Sequence, residues 1–357
     1  MQNLQMLLIV FLFASANSQV TTKTLLSTLK HPPKTVNKRS ILENHDKLDD
    51  FHNNYNEGNV RLAYVTPWNN HGYNLAKQTA HKLSHISPVW LQAKPNCKIE
   101  GIHDIDRNWI NDLRVKNEKI KIVPRIIFEG WNRQEMQKLL DSPRKCAQKL
   151  ADFYNRNEFD GAVIEIFLQS LMTIQSLQAK VYIIEAMEDV SKVFKKSNLE
   201  VIYTVPAPLD YKNQPNQLIE PIEFEKMIGF SDYVQVMTYD YRSDTISGVA
   251  PYNWVENNLN YLGNGENLLL GINFYGYEFT KEGVDAIKGK RFLEALAEKS
   301  SKYTFDESVM EHKLVTSKST IYYPSLSSLE LRINLARRGG IAIWDYGQGL
   351  DYFIDLI

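Results

Sequence analysis

Carboxylates and large aromatic rings recur at the ends of this chain's short apolar runs. Glu129, Glu165, Asp240 and Asp345 are the acids, and Trp68, Trp131, Tyr239, Tyr275 and Trp344 are the rings. A positioned carboxyl can act as a general acid or base, a role typically worth about 10²–10⁴ in rate. Exposed rings with hydrogen-bonding neighbours suit a ligand that shows apolar C–H faces edged by hydroxyls, which describes a sugar. For each ring the bland alternative is core packing.

The run 160–167 reads Asp160-Gly161-Ala162-Val163-Ile164-Glu165-Ile166-Phe167. As a strand, its pleat puts Val163, Glu165 and Phe167 on one face and Ala162, Ile164 and Ile166 on the other. The all-apolar set suits an outer helix layer, so Glu165 is expected to point inward with Phe167 above it near the mouth. Glu165 then lies two residues lower, about 6–7 Å along the strand, out of reach of a reacting bond at the rim. It is expected to fill an inner layer, satisfied by Gln235 or a neighbouring hydroxyl, because a buried carboxylate without partners is costly. Phenylalanine cannot donate a proton.

The elements that must position these residues follow from alternation. Apolar runs at 60–66, 85–91, 120–128, 161–167, 201–206, 233–239, 268–275 and 340–344 read as eight strands separated by amphipathic stretches, the pattern of parallel strands joined by helices. The longest helical pattern, 171–194, repeats apolar residues at three- and four-residue spacing from Leu171 to Val193. The chain from residue 60 to 357 is about the usual size of one (β/α)8 TIM barrel. Residues 278–338 add an α+β insertion between strands 7 and 8, with short strands near 303–305, 312–315 and 320–323 and a last helix over 326–338. Residues 1–19 carry the short apolar run of a signal peptide. Residues 20–59, rich in Lys, Asn, Asp and Pro without an apolar period, read as a flexible polar arm.

Composition narrows the partners. Net charge is −1 with acids and bases interspersed, which leaves no footprint for nucleic acid and no basis for membrane insertion after the leader. No glycine fingerprint for phosphate occurs, and His81 and His85 have no further ligand at zinc-site spacing, so neither cofactor nor metal is indicated. Cys97 and Cys146 are the two cysteines. An oxidising compartment permits a disulfide between them, which spacing alone does not establish.

The 160–167 run resembles the Asp-Gly-x-Asp-x-Asp-x-Glu signature of family 18 glycoside hydrolases, with Val163, Glu165 and Phe167 at the positions of two Asp and the proton-donating Glu. Tyr64-Val65-Thr66-Pro67-Trp68, Met237-Thr238-Tyr239-Asp240, Gly271-Ile272-Asn273-Phe274-Tyr275-Gly276 and Ile343-Trp344 are similar to that family's first, sixth, seventh and eighth strands. The 278–338 insertion resembles the element many members carry, truncated. The resemblance implies a secreted, chitinase-like lectin that binds chitooligosaccharides or related N-acetylated or bacterial glycans without efficient hydrolysis, since the degenerate Asp160, Val163, Glu165, Phe167 motif supplies no catalytic residue. It implies carbohydrate contacts at Tyr64, Trp68, Glu129, Trp131, Met237, Tyr239, Asp240, Tyr275 and Trp344. It further implies pathogen-glycan sensing, lysosomal traffic and an endocytic or sorting receptor. Two alternatives stay open: a glycosidase whose acid has moved to Glu129 or Asp240, and a scaffold that binds a protein rather than a glycan.

Overall fold

Eight parallel strands pair edge to edge in a closed ring in the computed structural model, which describes residues 37–48, 58–263, 265–336 and 339–357. Strand 1 (Val60–Val65) pairs with strand 8 (Gly340–Trp344) on one side and with the start of strand 2 (His85–Pro88) on the other. Strands 2 and 3 are each split. His85–Pro88 pairs with Lys121–Ile122, and Leu91–Lys94 pairs with Arg125–Phe128. Pro124 lies in the second gap and has no N–H to give the ladder, yet its carbonyl still accepts from the Val163 amide at 3.3 Å. Strand 4 (Gly161–Glu165), strand 5 (Glu200–Pro206), strand 6 (Tyr233–Met237) and strand 7 (Leu268–Asn273) complete the ring. Closure is tight. At Gly340, where φ is +141°, a Cβ would lie 2.1 Å from the Val60 carbonyl oxygen, so a side chain there would break the seam.

The interior is a packed layer of Val60, Leu62, Tyr64, Val89, Val123, Val163, Ile202, Leu269 and Ala342. A second, larger core lies between the outer faces of the strands and the surrounding helices. Local signals set those helices: Asp106 caps Arg107–Lys116, and Asn132 with Glu135 forms a capping box on Arg133–Asp141. The expected long helix at 171–194 is instead two, Phe167–Ile174 and Lys180–Lys196, separated at Gln175 in a left-handed conformation. The break shifts the helical phase, which leaves Leu177 and Val181 exposed while Ile184, Met187 and Val190 stay buried.

Between strands 7 and 8 stands a five-stranded antiparallel sheet in the order Val284–Ile287, Gly276–Phe279, Thr320–Tyr322, Glu311–Val315, Lys302–Asp306. Its first two strands and the helix Gly289–Leu296 lie where the sequence pattern offered no element. The last helix is Leu326–Ile333, shorter than the expected 326–338.

One part of the flexible-arm reading requires correction. Lys38–Asn44 is a helix capped by Asn37. Ile41 is buried, and the Lys38 ammonium donates to the Glu298 and Ser301 carbonyls at 2.8 and 3.0 Å. A single buried isoleucine and one lysine suffice to dock so short a segment, too little to register as a period. The signal peptide and the rest of the arm, up to residue 36 and from 49 to 57, lie outside the described residues.

Cys97 and Cys146 are bonded, with Cα atoms 5.5 Å apart, and tie the turn after strand 2 to the helix Arg144–Arg156. The bridge spans 49 residues, so replacing both cysteines by serine is expected to cost about 2–4 kcal/mol by releasing the unfolded chain. Urea unfolding of the oxidised protein and the double variant checks this, and equal midpoints would contradict it.

Candidate functional site

Strand 4 ends earlier than its alternation suggested. Ile166 takes right-handed helical angles, φ −118° and ψ −33°, and Phe167 opens the helix Phe167–Ile174. Phe167, Leu171 and Ile174 recur at i, i+4 and i+7, the spacing of one buried helical face, and all three are buried. The turn carries the Phe167 ring out of the barrel into the layer between helices and sheet, where it is 0% exposed. The expectation that Phe167 stands above Glu165 at the mouth is therefore wrong. Glu165 becomes the topmost inward side chain of strand 4, and it lines a cavity rather than a closed layer.

That cavity, about 200 Å³, is lined by Tyr64, Arg125, Glu165, Thr204, Gln235, Met237, Tyr239, Asp240 and Trp344. It opens at the C-terminal ends of the strands, where barrels of this kind place their sites. A second cavity of about 430 Å³ adjoins it through Glu165, Met237, Tyr239 and Asp240 and extends past Tyr211, Arg242 and Trp254. Together they fall in the usual range of about 300–1,000 Å³ for ligand pockets. A larger polar basin, about 850 Å³, lies outside the mouth beside Tyr73, Asp104 and Asp112. Volume alone would favour it, but it shares no lining residue with either mouth cavity.

Three hydrogen-bonded groups make up the wall. Arg125, inward on strand 3, donates through Nε and Nη2 to Glu165 Oε2 at 2.7 and 2.6 Å, while Gln169, one turn into the helix, donates to Glu165 Oε1 at 2.7 Å. These partners replace the expected Gln235 or hydroxyl. Gln235 instead accepts from the Tyr64 hydroxyl and donates to the Tyr239 hydroxyl at 3.1 Å. Asp240 Oδ1 accepts from Tyr275 at 2.5 Å and from Tyr277, on the insertion's sheet, at 2.6 Å. Burial pushes the hydroxyls of Tyr64, Tyr239 and Tyr275 above the ordinary tyrosine value, so they stay neutral, Tyr64 and Tyr275 donating and Tyr239 accepting. Asp240 holds φ +61°, an uncommon conformation for a residue with a side chain. Trp344 tilts over Tyr64 with ring centres 5.2 Å apart, and the peptide that follows it is cis.

The residues singled out by sequence divide accordingly. Tyr64, Met237, Tyr239, Asp240 and Trp344 meet in the cavity. Tyr275 stands behind them, buried, and acts on Asp240. Trp131 does not join them: its indole N–H bonds the Ala93 carbonyl at 2.7 Å, and its ring faces a separate cavity beside the disulfide. Glu129 is exposed and paired with Lys94 at 2.9 Å. Trp68 is 65% exposed on the rim after strand 1 and lines neither mouth cavity. Val163 belongs to the barrel core, and Asp160 accepts from the Ile122 amide at 2.7 Å. Asp345 is fully buried; burial raises its carboxyl above the ordinary value against bonds from Thr66, Gly347 and Gln348. Sequence reasoning gave no site role to Arg125, Gln169, Thr204 or Tyr277. Only Arg125 left a trace, as a charge in an otherwise apolar strand.

The arrangement can hold a neutral, ring-shaped ligand against Trp344 and Tyr239, with Asp240 and the tyrosines fixing its polar edge. Three N–H donors already bond the Glu165 carboxylate, two at Oε2 and one at Oε1.

The model of the glycosyl hydrolases family 18 matches residues 60–354, and the chain belongs to that family. It is 25% identical over 185 residues to the uncharacterized glycosylase YvbX of Bacillus subtilis (strain 168), a match covering 46% of this chain and 52% of that protein, so the chain spans about half the length of this curated relative. In structure it is similar to a chitinase from Chromobacterium violaceum ATCC 12472, with a TM-score of 0.70 and 18% identity over 84% of this chain and 98% of that one. It is also similar to human YKL-39, a pseudo-chitinase with retained chitooligosaccharide binding properties, with a TM-score of 0.65 and 16% identity over 83% and 97%. At these identities the structural likeness speaks for the fold.

Because Phe167 is core, Phe167→Ala is expected to cost about 3–5 kcal/mol. Phe167→Glu should lower the melting temperature at least as far, by burying an unpaired carboxylate, and should not create hydrolysis. A Phe167→Glu variant that melts like wild type and cleaves chitotetraose would return position 167 to the mouth.

Proposed function

We propose that this family 18 barrel binds chitooligosaccharides or related N-acetylated glycans at the cavity beneath Trp344 and holds them without efficient cleavage. The observation that carries this reading is the end of strand 4: among the described residues strand 4 and the turn after it place no acid above Glu165, and Glu165 is bonded to Arg125 and Gln169. The binding wall meanwhile remains in place, with Tyr239, Asp240 and Trp344 lining one space. The pseudo-chitinase nature of YKL-39, a neighbour in structure, supports the same separation of binding from cutting. So does the likeness of the 122–131 and 347–353 segments to chitinase domain-containing protein 1, a chitinase-like lectin. On this reading the protein is secreted, in keeping with its disulfide, and its role is the sensing of foreign glycans that the family resemblance implies.

The glycosidase reading keeps one candidate acid. Glu129 faces Lys94 outside the mouth cavities, which leaves Asp240, and its Oδ1 already takes two tyrosine hydroxyls.

Titration with chitotetraose, followed by tryptophan fluorescence, tests the binding. A saturable change is expected from Trp344, and Asp240→Ala should weaken binding at least about tenfold, the loss expected for a hydrogen bond to a charged group. A flat response to chitotetraose and to every other glycan offered would sink the reading in favour of a protein-binding scaffold.

A further inference from the structure

Inside the barrel, just below the rim, one hydroxyl has nothing to bond. Thr204 is 5% exposed, and its Oγ1 finds no hydrogen-bond partner among the described residues. The sheet register explains where it points. Thr204 pairs with Gln235, and Tyr203 pairs with Ile164, so Thr204 stands inward beside Glu165 and lines the 200 Å³ cavity. An unpaired buried hydroxyl is destabilising, and one aimed into a cavity calls for a use. Ser87 Oγ is also partnerless, but Ser87 lines none of the cavities described above.

A second donor lines the same space. Arg125 spends Nε and Nη2 on Glu165, and its Nη1 makes no hydrogen bond among the described residues. The neighbouring polar groups are already engaged: Tyr64, Gln235 and Tyr239 bond one another in series. Tyr239 accepts in that series and keeps its own proton, so among the described residues the well leaves the Thr204, Arg125 Nη1 and Tyr239 donors unspent, and donors select an acceptor oxygen.

We propose that Thr204 is a ligand-contacting residue that sets specificity: its hydroxyl, with Arg125 Nη1, donates to the carbonyl-type oxygen of an acyl substituent on the sugar held in the cavity. An acetamido group and a carboxylate share that chemistry. The inference rests on the glycan-binding reading above and adds the feature of the sugar that is read.

Thr204→Val keeps the shape and removes only the donor, and Thr204→Ser keeps the donor. Affinities are measured for chitotetraose, for its fully de-N-acetylated counterpart, and for a muramyl disaccharide that bears a lactyl carboxylate, together with melting temperatures. Thr204→Val should lose about tenfold in affinity for the acyl-bearing ligands, the worth of one hydrogen bond. It should bind the free-amine ligand as wild type does and melt no lower than wild type. Serine should restore binding, and the larger of the two acyl losses identifies acetamido or carboxylate. Equal affinities for wild type and Thr204→Val, a lower melting temperature with unchanged affinity, or an equal loss for the free-amine ligand would each overturn the proposal while leaving glycan binding intact. A wild type that binds none of the three overturns both.

Discussion

The Arg125–Glu165 pair is the interaction around which the mouth of this barrel is organised. Two opposite charges facing inward just below the rim would each be costly alone, since removing one partner of a largely buried pair leaves an uncompensated charge. Their side chains are only 15% and 17% exposed, so the attraction is weakly screened. Gln169 completes the set from the first turn of the helix that begins at Phe167. The same backbone turn thus does two things: it removes Phe167 to the core and delivers a third group to Glu165. A strand continuing to residue 167 would lose both.

Around that pair the barrel and its insertion contribute separate parts of one wall. Strands 1 and 6 supply the series Tyr64, Gln235, Tyr239, strand 8 supplies Trp344, and strand 5 supplies Thr204. The insertion reaches in through Tyr277, whose hydroxyl shares Asp240 with Tyr275. Arg242 lies over the Tyr277 ring at 4.8 Å, so the strand Gly276–Phe279 is tied to the mouth through both the hydroxyl and the ring of Tyr277. Elsewhere the insertion is anchored by the buried Arg332–Glu311 pair at 3.0 Å, with Arg332 also donating to the Ala250 carbonyl at 2.7 Å. The insertion therefore acts as a wall of the site and not as an independent appendage.

Much of this was legible in the chain itself, for physical reasons. The eight strands are visible because parallel strands buried on both faces read as apolar runs, and each expected run contains its observed strand or departs from it by a residue at one end, except the second, whose run 85–91 stops three residues short of Lys94. Tyr64, Met237, Tyr239, Asp240 and Trp344 were placed at strand ends and meet there. What was misread lies at junctions between periods. A strand's two-residue alternation over 163–167 and a helix's i, i+4, i+7 spacing over 167–174 meet at Phe167, and the helical set Phe167, Leu171, Ile174 prevails. Trp131 and Glu129 also follow a strand end, but Glu129 turns out to Lys94, and past Gly130, at φ +75°, Trp131 faces the cavity beside the disulfide. Pairings such as Arg125 with Glu165, 40 residues apart, have no local signature at all.

On the proposed reading the cavity beneath Trp344 holds a glycan, and among the described residues no proton donor from the end of strand 4 stands above it. Mass spectrometry of chitotetraose incubated with the purified protein, at concentrations where fluorescence shows the site saturated, tests it most directly. The expected spectrum is intact tetramer, unchanged by Glu165→Gln or Asp240→Asn. Shorter oligomers accumulating at a steady rate, and lost in either variant, would show that a working acid is present and contradict the account.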